Sequence, residues 1–171
     1  TLAILIRMAP YRMERFLVFL NPGHDPLGSG YQLNQAMFAL GSGGWLGVGL
    51  GQSRQKFNYL PEPVTDSIFA VIGEEVGFLG AAVIVLLFLF IAWRGLRIAK
   101  AAPDMFGQLI ASGIVAWIFI QAMINIMAIS GLIPLTGIPL PFISYGGTSL
   151  AVLMTGIGIL LNVSKQARLQ A

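Results

Sequence analysis

Hydrophobic positions fall in long unbroken blocks separated by short polar stretches. From Val76 to Trp93 eighteen residues pass without a charge, and the apolar character reaches back to Ile68. As a helix, Ile68 to Trp93 covers roughly 39 Å, enough to cross a bilayer with some tilt. Arg94, Arg97 and Lys100 close that block. Met105 to Ser164 then carries no charge over sixty positions, long enough for two crossings. Pro134, Pro139, Pro141 and the Gly146–Gly147 pair break it in the middle. The pattern predicts transmembrane helices over 67–93, 106–133 and 148–163. A short loop, 94–105, joins the first two, a non-helical hairpin, 134–147, joins the second pair, and a tail follows over 164–171.

The part before residue 67 reads differently. The run TLAILI reaches Arg7 after six residues, too short to span and without the basic leader of a signal peptide. Residues 1–9 are therefore expected to be the end of a transmembrane helix, and the chain a C-terminal fragment. Pro10 with Arg7, Arg12 and Arg15 marks the exit. Residues 10–66 form a large loop with short helices. Within it, Asn21 to Gln32 (NPGHDPLGSGYQ) is too rich in Pro and Gly for a continuous helix. Residues 33–51 are apolar but glycine-rich, a short helix followed by irregular backbone lying at the interface or packed in protein. Basic residues after 93 and after 163 place both segments in the cytoplasm. The hairpin 134–147 and the loop 10–66 then lie outside, with Arg7, Arg12 and Arg15 straining that assignment.

Composition settles the class. The chain is 56% hydrophobic and 10% charged, against about 25% charged in soluble domains. Mean hydropathy is +0.80. This is an all-α polytopic membrane protein, with membrane lipid as its solvent. The net charge of +3 comes without a basic cluster interleaved with aromatics, so no nucleic acid is expected as partner. Without cysteine there is neither a disulfide nor thiolate chemistry.

Charge is concentrated at one boundary. Four of the seven acidic residues, Glu62, Asp66, Glu74 and Glu75, fall within Tyr59 to Glu75. A carboxylate at a membrane boundary must be hydrated, paired or at work. Two compatible readings of Asp66 stand open. Thr65 or Asp66 can cap the helix that follows, or Asp66 can serve as a general base, with Glu62 four residues back to tune it. Glu74 and Glu75, deeper along the span, are either functional acids or ion-pair partners of absent helices. Arg54 and Lys56, on the same loop as Asp66, either neutralise a phosphate or meet solvent and lipid headgroups. The hairpin brings hydroxyls and glycines together (Ser144, Tyr145, Gly146, Gly147, Thr148, Ser149), and non-helical backbone at that depth walls a site. Gln121 and Asn125, four apart on one face, are expected to hydrogen-bond a neighbouring helix. The lone His24 has no partner cluster for a metal.

Three blocks carry a resemblance: residues 15–62 (RFLVFLNPGHDPLGSGYQ to YLPE), 65–80 (TDSIFAVIGEEVGFLG) and 131–149 (GLIPLTGIPLPFISYGGTS). They cover about half of the chain, in order, with spans between them. On these residues the chain resembles the SEDS family (FtsW/RodA/SpoVE) of cell-wall polymerases. The GSGYQ and GLGQSRQK forms are most like its division and sporulation branch, FtsW-like rather than the elongation-type RodA-like branch. Val64 stands where many members carry histidine, and Thr136 lies near a position that holds lysine in some.

The resemblance implies a peptidoglycan glycosyltransferase that polymerises lipid II, the undecaprenyl-pyrophosphate-linked disaccharide peptide, during septal wall synthesis in cell division. It places the family's essential aspartate at Asp66, as the base that takes a proton from the acceptor hydroxyl. Substrate contacts are expected from Arg54, Lys56, Glu62, Glu74, Glu75, Ser144, Tyr145, Gly146, Gly147, Thr148 and Ser149. A divalent cation, Mg or Mn, is the expected cofactor, with no organic cofactor. The implied partners are a class B penicillin-binding transpeptidase and other divisome membrane proteins. The implied location is the bacterial cytoplasmic membrane at the septum, with the active site on the extracytoplasmic side. A lipid II flippase and a non-catalytic division scaffold are the alternatives. The fragment alone is expected to be inactive.

Overall fold

The computed structural model describes residues 10–21, 29–53 and 65–169. The expected helix end at 1–9, and Arg54, Lys56, Glu62 and His24, lie outside the described residues. Those described form five helices and no strand: α1 (Pro10–Leu20), α2 (Ser29–Ser42), α3 (Ile68–Lys100), α4 (Met105–Ile129) and α5 (Gly147–Leu169). Three of them, α3, α4 and α5, are long and apolar enough to cross a membrane. The chain is thus an all-helical, multi-pass membrane protein.

Several boundaries differ from the sequence pattern: α4 ends at Ile129 rather than at 133, and α5 runs to Leu169 rather than to 163. Helix α3 runs past Trp93 to Lys100. Arg94, Arg97 and Lys100 are good helix formers, and cations suit the C-terminal end of the helix dipole. Arg97 also lies 4.0 Å from the ring centre of Trp93. Helix α2 starts at Ser29, so Gly30 falls inside its first turn, where a glycine is tolerated.

Small residues let the helices approach closely, the usual solution where lipid gives no hydrophobic drive between helices. One core joins Phe69, Ala70, Ala81 and Phe88 of α3 to Ala122 and Ile129 of α4, Leu33, Ala36 and Ala39 of α2, and Leu135 and Leu140 of the hairpin. A second, at the opposite end, joins Ala99, Ala111, Val115, Leu160 and Val163. Asp104 caps α4 by accepting from the Gly107 amide at 3.2 Å.

Helix α3 is broken at Gly77 (φ 71°, ψ −171°). The freed backbone groups are taken by the glycine-rich loop that follows α2. Val48 N–H donates to Glu74 O (3.0 Å) and Gly49 N–H to Glu75 O (3.1 Å), while Phe78 N–H donates to Gly44 O (2.9 Å) and Leu79 N–H to Trp45 O (3.2 Å). The glycines of the loop are therefore a condition of docking. A Cβ on Gly43 would stand 2.0 Å from Gly73 O, and one on Gly47 2.2 Å from Glu75 O.

This docking sets a contrast between two glycines. Gly43→Ala should force the loop off α3 and lower stability by about 1–3 kcal/mol. Gly113→Ala, with nothing within 4 Å of the added methyl, should leave the thermal midpoint unchanged or slightly raised. Thermal unfolding of the two variants in detergent measures both.

Candidate active site

Asp66 sits in the turn that opens α3. The N-cap residue is Ser67, and it makes no side-chain cap hydrogen bond. The capping role expected for Thr65 or Asp66 is thus not what the turn does. The half-buried Asp66 carboxylate instead receives two long hydrogen bonds, from Gln32 Nε2 to Oδ2 at 3.4 Å and from Thr65 Oγ1 to Oδ1 at 3.3 Å. Gln32 also donates to Ser67 Oγ at 3.1 Å. At distances beyond the usual 2.7–3.2 Å range, both bonds leave the carboxylate with acceptor capacity.

The backbone around Asp66 is held tightly. Asn125 Nδ2 donates to Asp66 O at 2.8 Å and to Ile138 O at 2.7 Å. Ser144 Oγ donates to Thr65 O and accepts from Leu140 N–H at 2.7 Å. Gln121 Nε2 donates to Pro139 O at 2.9 Å, and Arg15 Nη1 donates to Leu135 O at 2.8 Å. Gln121 and Asn125 therefore bond the hairpin and the Asp66 turn, where a neighbouring helix was expected. Proline carbonyls and a run of non-helical backbone have no partners of their own, so side chains from α1 and α4 supply them.

Gly137, at φ +69°, lies close to two opposite charges: a Cβ there would stand 3.4 Å from Arg15 Nη1 and 3.8 Å from Asp66 Oδ2. A side chain at this position would meet both the guanidinium and the carboxylate. Phe142, nearby in the hairpin, holds φ +65°, a conformation that strains a non-glycine residue. Next to it a cavity of about 590 Å³ is lined by Ile68, Phe142, Tyr145, Gly146, Gly147 and Leu150, among others. Tyr145 is 81% exposed at its rim. Thr148 and Ser149 lie in the first turn of α5.

Glu74 and Glu75 stand eight and nine residues beyond Asp66, roughly 12 Å along α3. Glu74 is buried and accepts from Ser53 Oγ at 2.5 Å. Glu75 keeps one carboxylate oxygen, Oε1, buried without a hydrogen-bond partner. Both take part in the docking of the glycine-rich loop at the break in α3 through their backbone carbonyls, and Glu74 through its side chain as well.

Among the described residues no three His, Cys, Asp or Glu side chains converge. At Asp66 the described donor set is one carboxylate, with a guanidinium also close to Gly137. Mg keeps several waters and is commonly held by one or two carboxylates together with a substrate's phosphates, so Asp66 supplies one ligand of the kind the expected cation would use.

Sequence reasoning passed over Arg15, Gln32 and Gly137. Arg15 entered only as a charge on the wrong side of the membrane. Its hydrogen bond to the hairpin explains why a cation is kept there.

The comparisons agree with this architecture. The family model described as "Cell cycle protein" (FTSW_RODA_SPOVE) matches residues 1–169. The chain is 57% identical over 164 residues to "Stage V sporulation protein E" of Bacillus subtilis, covering 96% of this chain and 45% of that protein. It is 47% identical over 165 residues to "Probable peptidoglycan glycosyltransferase FtsW" of Trichlorobacter lovleyi, covering 96% of this chain and 43% of that protein. Among solved structures, one described as "Structural coordination of polymerization and crosslinking by a peptidoglycan synthase complex" superposes with a TM-score of 0.75 at 30% identity. That match covers 96% of this chain and 45% of the other. The chain thus spans less than half the length of these relatives.

The buried contact at Glu74 gives a direct check of the loop docking. Ser53→Ala removes a donor from a buried carboxylate and should destabilise the protein by about 1–2 kcal/mol. A lowered thermal midpoint in detergent is the expected result.

Proposed function

Because the chain belongs to the FtsW/RodA/SpoVE family of cell cycle proteins, we propose that it carries the catalytic aspartate of a peptidoglycan glycosyltransferase. One observation carries the reading: a half-buried carboxylate, Asp66, held by two long hydrogen bonds at a helix start it does not cap. Its backbone is fixed and its oxygens are available, the geometry a general base needs. A relative named as a probable peptidoglycan glycosyltransferase supports the reaction class.

In this reading the substrate is lipid II. An Asp66 oxygen takes the proton of the acceptor sugar's 4-hydroxyl as the hydroxyl oxygen bonds to C1 of the donor sugar. The C1–O bond to the pyrophosphate breaks, and undecaprenyl pyrophosphate leaves as an anion. Arg15, also close to Gly137, is the described cation nearest Asp66 and suits the charge that develops on the leaving group. The cavity beside Tyr145 offers a surface for a sugar ring. Arg54, Lys56, Glu62, Thr148 and Ser149 stay candidates for substrate contacts.

Topology supports an outward-facing site. Helix α3 leads from Asp66 to Arg94, Arg97 and Lys100, and α5 leads from the hairpin to Lys165. The basic ends belong in the cytoplasm by the positive-inside rule, which sets Asp66 outside. The relatives named for sporulation and for FtsW favour a role in division or sporulation over elongation. The solved complex, described as coordinating polymerisation with crosslinking, supports a crosslinking partner, and the family resemblance makes that partner a class B penicillin-binding transpeptidase.

The test is lipid II polymerisation by the full-length protein with its transpeptidase. Asp66→Asn and Asp66→Ala should each lose at least about 100-fold in rate, the lower range for a general base. Glycan strands made at the wild-type rate would remove the base role. Movement of lipid II across vesicles without polymer would support a flippase instead.

A further inference from the structure

One buried polar side chain has no part in the chemistry above. Asn125 lies within the apolar helix α4 and is 2% exposed. Its amide nitrogen donates to two carbonyls, Asp66 O at 2.8 Å and Ile138 O at 2.7 Å. Its Oδ1 is buried and accepts no hydrogen bond. Turning the amide over would set Oδ1 against two carbonyl oxygens, so the observed orientation is the stable one.

The arrangement is poor packing and good positioning. A leucine of similar size would fill the space and remove the unpaired Oδ1, but it would leave the Asp66 and Ile138 carbonyls without this donor. What a neutral primary amide adds is two N–H groups on one atom. Here they tie two chain segments to a single point. One segment is the backbone of Asp66 itself. The other is Ile138, next to Gly137, to which both Arg15 and Asp66 come close. Ser144 makes the second tie, from the hairpin to Thr65 O. Asn125 thus sets the spacing between the carboxylate and the hairpin that faces it.

We propose that Asn125 is a positioning residue of this site, holding the Asp66 backbone so that the carboxylate meets the acceptor hydroxyl. The inference rests on the base role given to Asp66 above. Misplacing a reacting group by about 1 Å can lower a rate about 100-fold without disturbing binding. Loss of the amide should therefore appear in kcat and not in KM.

The experiment uses full-length protein with its transpeptidase partner and purified lipid II, comparing Asn125→Leu with Asn125→Asp. Leucine removes both donors while keeping the volume, and aspartate keeps the shape with at most one donor. Both should lower kcat by about 10- to 100-fold, with KM within about threefold. Lipid II affinity, measured in the Asp66→Asn background where turnover is blocked, should also hold within about threefold. Both variants should still be recovered folded and with the transpeptidase, at a lowered thermal midpoint because two carbonyls lose this donor. Wild-type kcat in both variants overturns the inference. So does a fall in kcat matched by loss of lipid II affinity or of folded yield in both, the mark of a purely structural role. Asp66→Asn, run alongside, separates the two readings. If it keeps the wild-type rate, the base role fails. If it is inactive while both Asn125 variants keep wild-type kcat, only the positioning role fails.

Discussion

Backbone N–H and C=O groups at membrane depth have no water to bond, and this fold is organised around satisfying them internally. Among the described residues, two departures from helix are matched by dedicated sets of partners. The break in α3 at Gly77 is closed by four backbone bonds from the glycine-rich loop. The proline-rich hairpin is closed by side chains, with Arg15, Gln121 and Asn125 each donating to one of its carbonyls. The first device needs glycines because two backbones must touch. The second needs long polar side chains because the backbones stand apart.

On the proposed reading of Asp66, the same bonds position chemistry. Asn125 and Ser144 each hold one carbonyl of the Thr65–Asp66 turn, so the backbone of Asp66 is anchored from α4 and from the hairpin at once. Its side chain is left with two long hydrogen bonds. A rigid backbone with a lightly engaged carboxylate separates the structural role of the turn from its chemical one. Glu74 is the opposite case, a buried carboxylate engaged by Ser53 and tied to the docked loop. Two acids eight residues apart therefore sit in different surroundings, one lightly engaged and one buried against a docked loop.

Much of this was legible in the sequence. Long uncharged blocks announced α3, α4 and α5, since the bilayer sets a minimum length and tolerates few charges. The boundary carboxylate at Asp66 and the unusual hairpin were visible for the same reason. The partners were not. Gln121 and Asn125 stood out as a polar pair on an apolar helix, but spacing on one helix does not tell which backbone comes within reach. Arg15 was read as a topological charge because its partner, Leu135 O, lies 120 residues away. Nor does composition tell that Gly77 breaks a helix while Gly113 sits quietly inside one. That distinction depends on the loop that docks at one and not the other.

The central claim is that Asp66 faces the reacting hydroxyl from an anchored turn, with Arg15 also close to Gly137. A structure of the full-length protein with lipid II bound tests it most directly. The account predicts the acceptor's 4-hydroxyl within about 3 Å of an Asp66 carboxylate oxygen, with the donor's pyrophosphate on the Arg15 side. Both sugars seated elsewhere, with Asp66 more than about 6 Å from any acceptor hydroxyl and turned onto the start of α3, would contradict it.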